Sequence, residues 1–130
     1  MPKIIKSKKQ LRDELSDLSY RVTQEKGTES PFSGEYTYFN EKGIYECICC
    51  GNELFHSEKK FDSGTGWPSF TDTYSTDSLC EVEDNSYNMR RIEVKCKKCD
   101  AHLGHVFDDG PAPLFKRYCI NSVSLGFKRD

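Results

Sequence analysis

Seven cysteines and three histidines carry most of the chemistry open to this sequence. Four of the cysteines form two C-x-x-C pairs: Cys47 with Cys50 in "YECICCGNELF", and Cys96 with Cys99 in "VKCKKCDAHLGHVF". At that spacing a tight turn aims two thiolates at one tetrahedral metal. The flanks match as well, and Glu53 of the first copy aligns with His102 of the second. Gly51 suits a left-handed turn and Asp100 tolerates one. Two matched pairs predict a single four-thiolate zinc site. Its closed shell makes it structural rather than catalytic. Two redox dithiols are the competing reading, but neither pair opens a helix, where a thiolate would be activated. Cys49 should point away from the metal, because exchanging it with Cys50 breaks the match between the copies.

The remaining chemistry centres on Cys119, in "KRYCIN". A strand there puts Arg117, Cys119 and Asn121 on one face. Continued parity adds Val123, Leu125 and Phe127, so Cys119 is expected on the inner face. A nearby guanidinium favours the thiolate, the nucleophilic form. A buried structural cysteine is the bland alternative. His102 and His105 lie three apart in "HLGHVF", which in a straight strand sends them to opposite sides. A bulge at Gly104 would bring both to one side. Two imidazoles beside a thiolate can then deliver hydrogen bonds or protons to an oxygen. In "FDSGTGWPSF", Gly64, Gly66 and Pro68 build a compact loop around the only tryptophan, Trp67. Its indole can pack on a small apolar group or simply anchor a core. His56 lacks such company and reads as surface.

The elements that position these groups follow from pattern. Residues 8–26 read as helical from Leu11, Leu15 and Leu18. Ser16 caps a second short helix over "DLSYRVTQE", and Gly27 stops it. Beyond residue 30 short aromatic and β-branched runs alternate with turn clusters. The candidate strands are "GIYECI", "ELFH", "LCEVED", "MRRIEVKC", "HLGHVF", "KRYCIN" and "SVSLGF". "NEKG" and "DDGPAP" read as surface turns. We therefore expect one domain over residues 1–130, with a helical arm (1–30) and a mainly antiparallel β catalytic core (31–130). Eight Phe and seven Tyr can fill its interior.

A net charge of −2 argues against a general nucleic-acid binder. No apolar run reaches the length of a membrane span, so no membrane association is expected. "MPKIIKSKKQLRDE" is basic but lacks the apolar stretch of a signal peptide. These features point to a cytoplasmic protein, where cysteines serve metals or catalysis more often than disulfides.

Together "YRVTQEKGTESPFSGEY", "FDSGTGWPSF", "AHLGHVFDDGP" and "RYCINS" closely resemble, in order, the blocks of the B-type methionine-R-sulfoxide reductases. The resemblance covers about Leu15 to Phe127. It implies two antiparallel sheets, N-terminal helices and one structural zinc. It makes Cys119 the nucleophile and sets Trp67 against the substrate methyl group. His102, His105 and Asn121 would surround the sulfoxide, with Arg117, Phe107 and Asp109 lining or supporting the site. The implied substrate is methionine-R-sulfoxide in oxidised peptides or proteins. The implied product on the enzyme is a sulfenic acid on Cys119, and each sulfoxide epimer has its own reductase. Many members carry a resolving cysteine where this chain has Thr65. Recycling would then need Cys80, less readily Cys49, or direct reduction by thioredoxin or a small thiol, which is the favoured expectation. The chain is expected to act as a monomer. The rival reading is a zinc-stapled β module that binds a protein partner and catalyses nothing, which leaves Cys119, His102, His105 and Trp67 unexplained.

Overall fold

Two serines start the two helices. In the computed structural model, which describes residues 6–130, Ser7 Oγ accepts from the Gln10 N–H at 3.0 Å and opens helix α1 (Lys8–Glu14). Ser16 Oγ accepts from the Ser19 N–H at 3.1 Å and opens α2 (Asp17–Glu25). Each such cap is worth about 1 kcal/mol. The first five residues, part of the stretch read as lacking a signal peptide, lie outside the described residues. Leu15 is extended and separates the helices. The stop differs from expectation by one residue. Lys26, not Gly27, takes the left-handed conformation at φ 55°, and the Gly27 N–H closes on Arg21 O. Lys26 accepts that strain with its ammonium 3.3 Å from a Glu93 carboxylate oxygen.

Among the described residues nine strands follow, in two antiparallel sheets: β1 (Gly43–Cys47), β2 (Glu53–His56), β3 (Lys60–Phe61), β4 (Ser69–Phe70), β5 (Leu79–Asp84), β6 (Arg91–Cys96), β7 (His102–Phe107), β8 (Arg117–Ile120) and β9 (Leu125–Arg129). The smaller sheet runs β2-β1-β9, and the larger β3-β4-β8-β7-β6-β5. Aromatic rings pack one sheet on the other. Phe55 of β2 stacks on Phe70 of β4 at 4.2 Å, and Tyr45 of β1 meets Phe70 edge-on at 5.1 Å. Tyr118 and Ile120 of β8 and Leu103 and Val106 of β7 join this core.

That core corrects the expected orientation of Cys119. The chain after β8 does not continue as the strand "SVSLGF". It makes a 3-10 turn over Ser122–Ser124 before β9, which resets the alternation. Tyr118 and Ile120 therefore face the hydrophobic interior, and Cys119 faces the other side of the sheet. α2 packs against β7 and the 122–124 turn.

The two C-x-x-C turns are near copies. Gly51 N–H bonds Cys47 O and Asp100 N–H bonds Cys96 O, both at 2.8 Å. Gly51 at φ 79° and Asp100 at φ 63° are both left-handed, as the sequence suggests. One turn joins β1 to β2 and the other β6 to β7, so the four cysteines clamp the two sheets together.

Candidate active site

The register of the large sheet places the nucleophile. Ser69 of β4 opposes Cys119 of β8, Cys119 opposes His105 of β7, and His105 opposes Glu93 of β6. Directly opposed residues point to the same face. One row across four strands thus carries a hydroxyl, a thiol, an imidazole and a carboxylate. The strands are about 4.8 Å apart, so backbone pairing sets these separations.

His102 reaches the same face through a bulge. Val94 opposes Gly104 while Lys95 opposes His102, leaving Leu103 as the extra residue. Leu103 then enters the core and the two imidazoles meet edge to face, 5.6 Å between centroids. The bulge lies beside Gly104, as anticipated. Gly104 has its own constraint, since a Cβ there would sit 2.0 Å from Cys119 O.

Each histidine is backed by a buried carboxylate that the sequence did not reveal. Glu93 Oε2 accepts from His102 Nδ1 at 2.7 Å, and Asp84 Oδ2 accepts from His105 Nε2 at 2.8 Å. Asp84 also takes Arg91 at 3.3 Å. The His105 ring, with help from the Ser86 N–H, holds Asp84 well below the usual carboxylate range. Burial pushes the His102 pKa down, against the pull of Glu93 upward. His102 is almost wholly buried and stands behind His105 rather than in the cleft.

A cleft of about 120 Å³ opens over this row, lined by Thr28, Trp67, Arg91, Gly104, His105, Phe107, Cys119, Ile120 and Asn121. Of the anticipated site residues, Cys119, His105, Asn121, Trp67 and Phe107 line it. Arg117 stands beside Cys119, its guanidinium 4.4 Å over the Phe107 ring. Asp109 lies outside and grips Arg117 through two bonds of 2.8 and 3.1 Å. Burial pushes the Cys119 thiol pKa up; Arg117 and the Thr65 hydroxyl oppose that, and Glu29 adds to it. Cys80 lies on β5, three strands from Cys119 and inside a continuous ladder with β6. Three strand spacings are about 14 Å. A disulfide needs Cα atoms within about 7 Å, so the folded sheet does not offer Cys80 as a resolving thiol. Cys49 is buried by the helical arm, accepting from Gln24 Nε2 at 3.5 Å. His56 is half-buried and pairs with Asp130 at 3.3 Å, remote from the cleft lining.

The arm supplies the remaining support through Glu29. Its N–H donates to Asn121 Oδ1 at 3.0 Å, its carbonyl accepts from Trp67 Nε1 at 3.1 Å, and its Oε1 accepts from Val123 N–H at 3.0 Å. Asn121 Nδ2 donates in turn to Leu103 O at 2.9 Å. Glu29 Oε2 is buried without a hydrogen-bond partner, and burial raises the pKa of the carboxyl. Ionised Glu29 is therefore a cost. A raised folded-state pKa means that stability falls as pH rises from the ordinary value of 4.5 through the folded one. Glu29→Gln should remain folded, match wild type at low pH, and become the more stable protein above that window. Thermal unfolding at pH 4 and pH 7.5 checks this, and equal melting temperatures at pH 7.5 would refute it.

The second constellation is the cysteine cluster. The Sγ atoms of Cys47, Cys50, Cys96 and Cys99 all lie within 4.8 Å of one another, positioned to bind a metal ion. Cys47 to Cys99 is 3.5 Å and Cys50 to Cys96 is 3.6 Å. Asn52 Nδ2 lies 3.6 Å from Cys96 Sγ and supports that ligand.

Residues 15–129 match the SelR domain family. Methionine-R-sulfoxide reductase B3, mitochondrial, of Mus musculus is 57% identical over 125 residues, covering 96% of this chain and 49% of that protein. This chain thus spans about half the length of the mouse relative. Peptide methionine sulfoxide reductase MsrB of Methanosarcina mazei is 58% identical over 128 residues, 98% of this chain and 91% of that one. MsrB of Hahella chejuensis is 55% identical over 127 residues, with 98% and 91% covered. On the strength of this match along nearly its whole length, the chain belongs to the SelR domain family of methionine-R-sulfoxide reductases.

Proposed function

We propose that this protein reduces methionine-R-sulfoxide in oxidised peptides and proteins, with Cys119 as nucleophile. The observation that carries the reading is the pairing of Cys119 with His105 on the floor of the Trp67 cleft. The Cys119 thiolate attacks the electrophilic sulfoxide sulfur. The oxygen takes a proton from His105, whose ring Asp84 holds in place. The oxygen passes to Cys119 Sγ as a sulfenic acid, and the S–O electron pair stays with the methionine sulfur. His102, held by Glu93, sets the His105 edge and the local charge. Trp67 and Phe107 enclose the methyl group, and Asn121 holds the oxygen side. Such fixed walls select one sulfoxide hand. Two reductant thiols then return Cys119 to the thiol, releasing water and a disulfide. With Cys80 remote and Thr65 unable to resolve, thioredoxin or a small thiol attacks Cys119 directly.

Zinc is the metal we assign to the cluster. Four thiolates at about 2.3 Å from a tetrahedral ion lie about 3.8 Å apart, close to the spacing observed. Cys47, Cys50, Cys96 and Cys99 would hold it as a structural staple. Four cysteines placed for a metal and three others outside any disulfide support a reducing compartment such as the cytoplasm. Among the described residues no helix is long and apolar enough to cross a membrane.

The test is consumption of each methionine sulfoxide epimer, as a peptide-like amide, with excess dithiothreitol. Loss of the R epimer alone is expected. Loss of neither from metal-loaded, folded protein would return the chain to the binding-module reading.

A further inference from the structure

From Thr28 to Ser33 the chain runs along the surface, and every residue but one is exposed. The exception is Glu29, 2% exposed between Thr28 and Ser30. This short strap lies flush on the loop that carries Trp67. The Phe32 N–H donates to Gly66 O at 2.7 Å, and a Cβ on Gly66 would sit 2.7 Å from Pro31 Cβ. Glu29 O accepts from the Trp67 indole N–H. Strap and tryptophan loop are thus joined at two points.

Glu29 also joins the strap to the far end of β8. Its N–H donates to the side chain of Asn121, two residues beyond Cys119, and its Oε1 accepts from the Val123 N–H. Asn121 does not depend on Glu29 alone, because it holds Leu103 O twice, through its own N–H and through Nδ2, both at 2.9 Å. The indole has a single N–H and gives it to Glu29 O. Packing alone does not call for a carboxyl at this position, since Oε2 is buried without a hydrogen-bond partner. The bonded oxygen accounts for it. Through Oε1 one side chain ties the Trp67 wall to the turn that follows the Cys119 strand.

We propose that Glu29 is a positioning residue: its carboxyl oxygen pins the strap to Val123 and so holds the Trp67 wall at its distance from Cys119. The proposal rests on the reductase reading above, in which Trp67 encloses the substrate methyl group. Without the pin, strap and tryptophan loop shift together, while the ladder that carries Cys119 and His105 stays in place. The methyl pocket then loosens before any bond is made. The loss therefore falls on substrate binding rather than on the chemical step.

The experiment compares Glu29→Ala with Glu29→Gln in the metal-loaded protein, each below its own melting temperature. Trp67 is the only tryptophan, so its fluorescence reports on the wall directly. Glu29→Ala should raise KM for the methionine-R-sulfoxide amide about tenfold, leave kcat within about threefold, and make Trp67 more open to quenching by acrylamide. Glu29→Gln keeps the acceptor for Val123 and should return both KM and quenching to near wild type. If Glu29→Ala fails to fold, Glu29→Met, which fills the volume without an acceptor, takes its place. If neither folds, Glu29 is a determinant of the fold and the positioning role falls. Unchanged quenching or unchanged KM in a folded variant overturns the proposal, as does Glu29→Gln behaving like Glu29→Ala. If the wild type reduces neither epimer, the reductase reading fails instead, and a change in quenching leaves Glu29 as an anchor of Trp67 only.

Discussion

Cys119→Ser is expected to lose at least about a thousandfold in methionine-R-sulfoxide reduction while keeping its fold and its metal. Serine is close in size to cysteine and fits the space. Its hydroxyl, however, stays protonated where a thiol ionises, and oxygen is a poor nucleophile toward sulfur. Nothing else in the cleft replaces it. Cys119 is the one sulfur among the lining residues, and Cys80 is held across the sheet. Activity with dithiothreitol, circular dichroism and metal content, measured on one preparation, check the three parts together. A folded variant that still turned over at the wild-type rate would end the assignment of Cys119.

Removing the metal should do the reverse. The cluster links the β1–β2 turn of one sheet to the β6–β7 turn of the other. Without an ion, thiolates within 4.8 Å of one another repel, and uncharged thiols lose the clamp. Structural zinc sites bind with roughly 10 kcal/mol or more, much of which is folding free energy. Chelation, or Cys96→Ser, is therefore expected to lower stability on the order of 5 kcal/mol or more and to abolish activity only as the protein unfolds. Denaturant melts with and without a strong chelator measure this. A metal-free protein with an unchanged midpoint would remove the structural role. The two experiments dissociate chemistry from scaffold.

Much of this site is legible in the chain because its parts obey local rules. The C-x-x-C turns announce their ligands by spacing. Gly104 between two histidines signals the bulge, since only a break in alternation puts His102 and His105 together. What stayed hidden depends on strand order. Glu93 sits between Ile92 and Val94 and reads as the solvent face of an alternating strand. It is buried because α2 and Lys26 cover that face. Asp84 becomes the partner of His105 only once β5, β6 and β7 lie side by side. Strands β3 and β4 are two residues each, too short for any periodicity, yet β4 brings Ser69 and the Trp67 loop to Cys119. The parity argument for Cys119 failed because a 3-10 turn at Ser122–Ser124 costs the chain its alternation, and no residue type there forbids a strand.

The cross-strand row from Ser69 to Glu93 also sets where this protein can gain or lose residues. Four strands must keep one register for the hydroxyl, thiol, imidazole and carboxylate to share a face. One residue inserted within β7 or β8 would turn His105 or Cys119 into the aromatic core and expel a core residue into the cleft. The exposed residues 111–115 of the turn that joins the same two strands tolerate length changes without touching that alignment, whereas Asp109 in the same turn is held to Arg117. Length variation should therefore collect in turns that carry neither the metal cysteines nor Asp109, while β7 and β8 remain fixed in length.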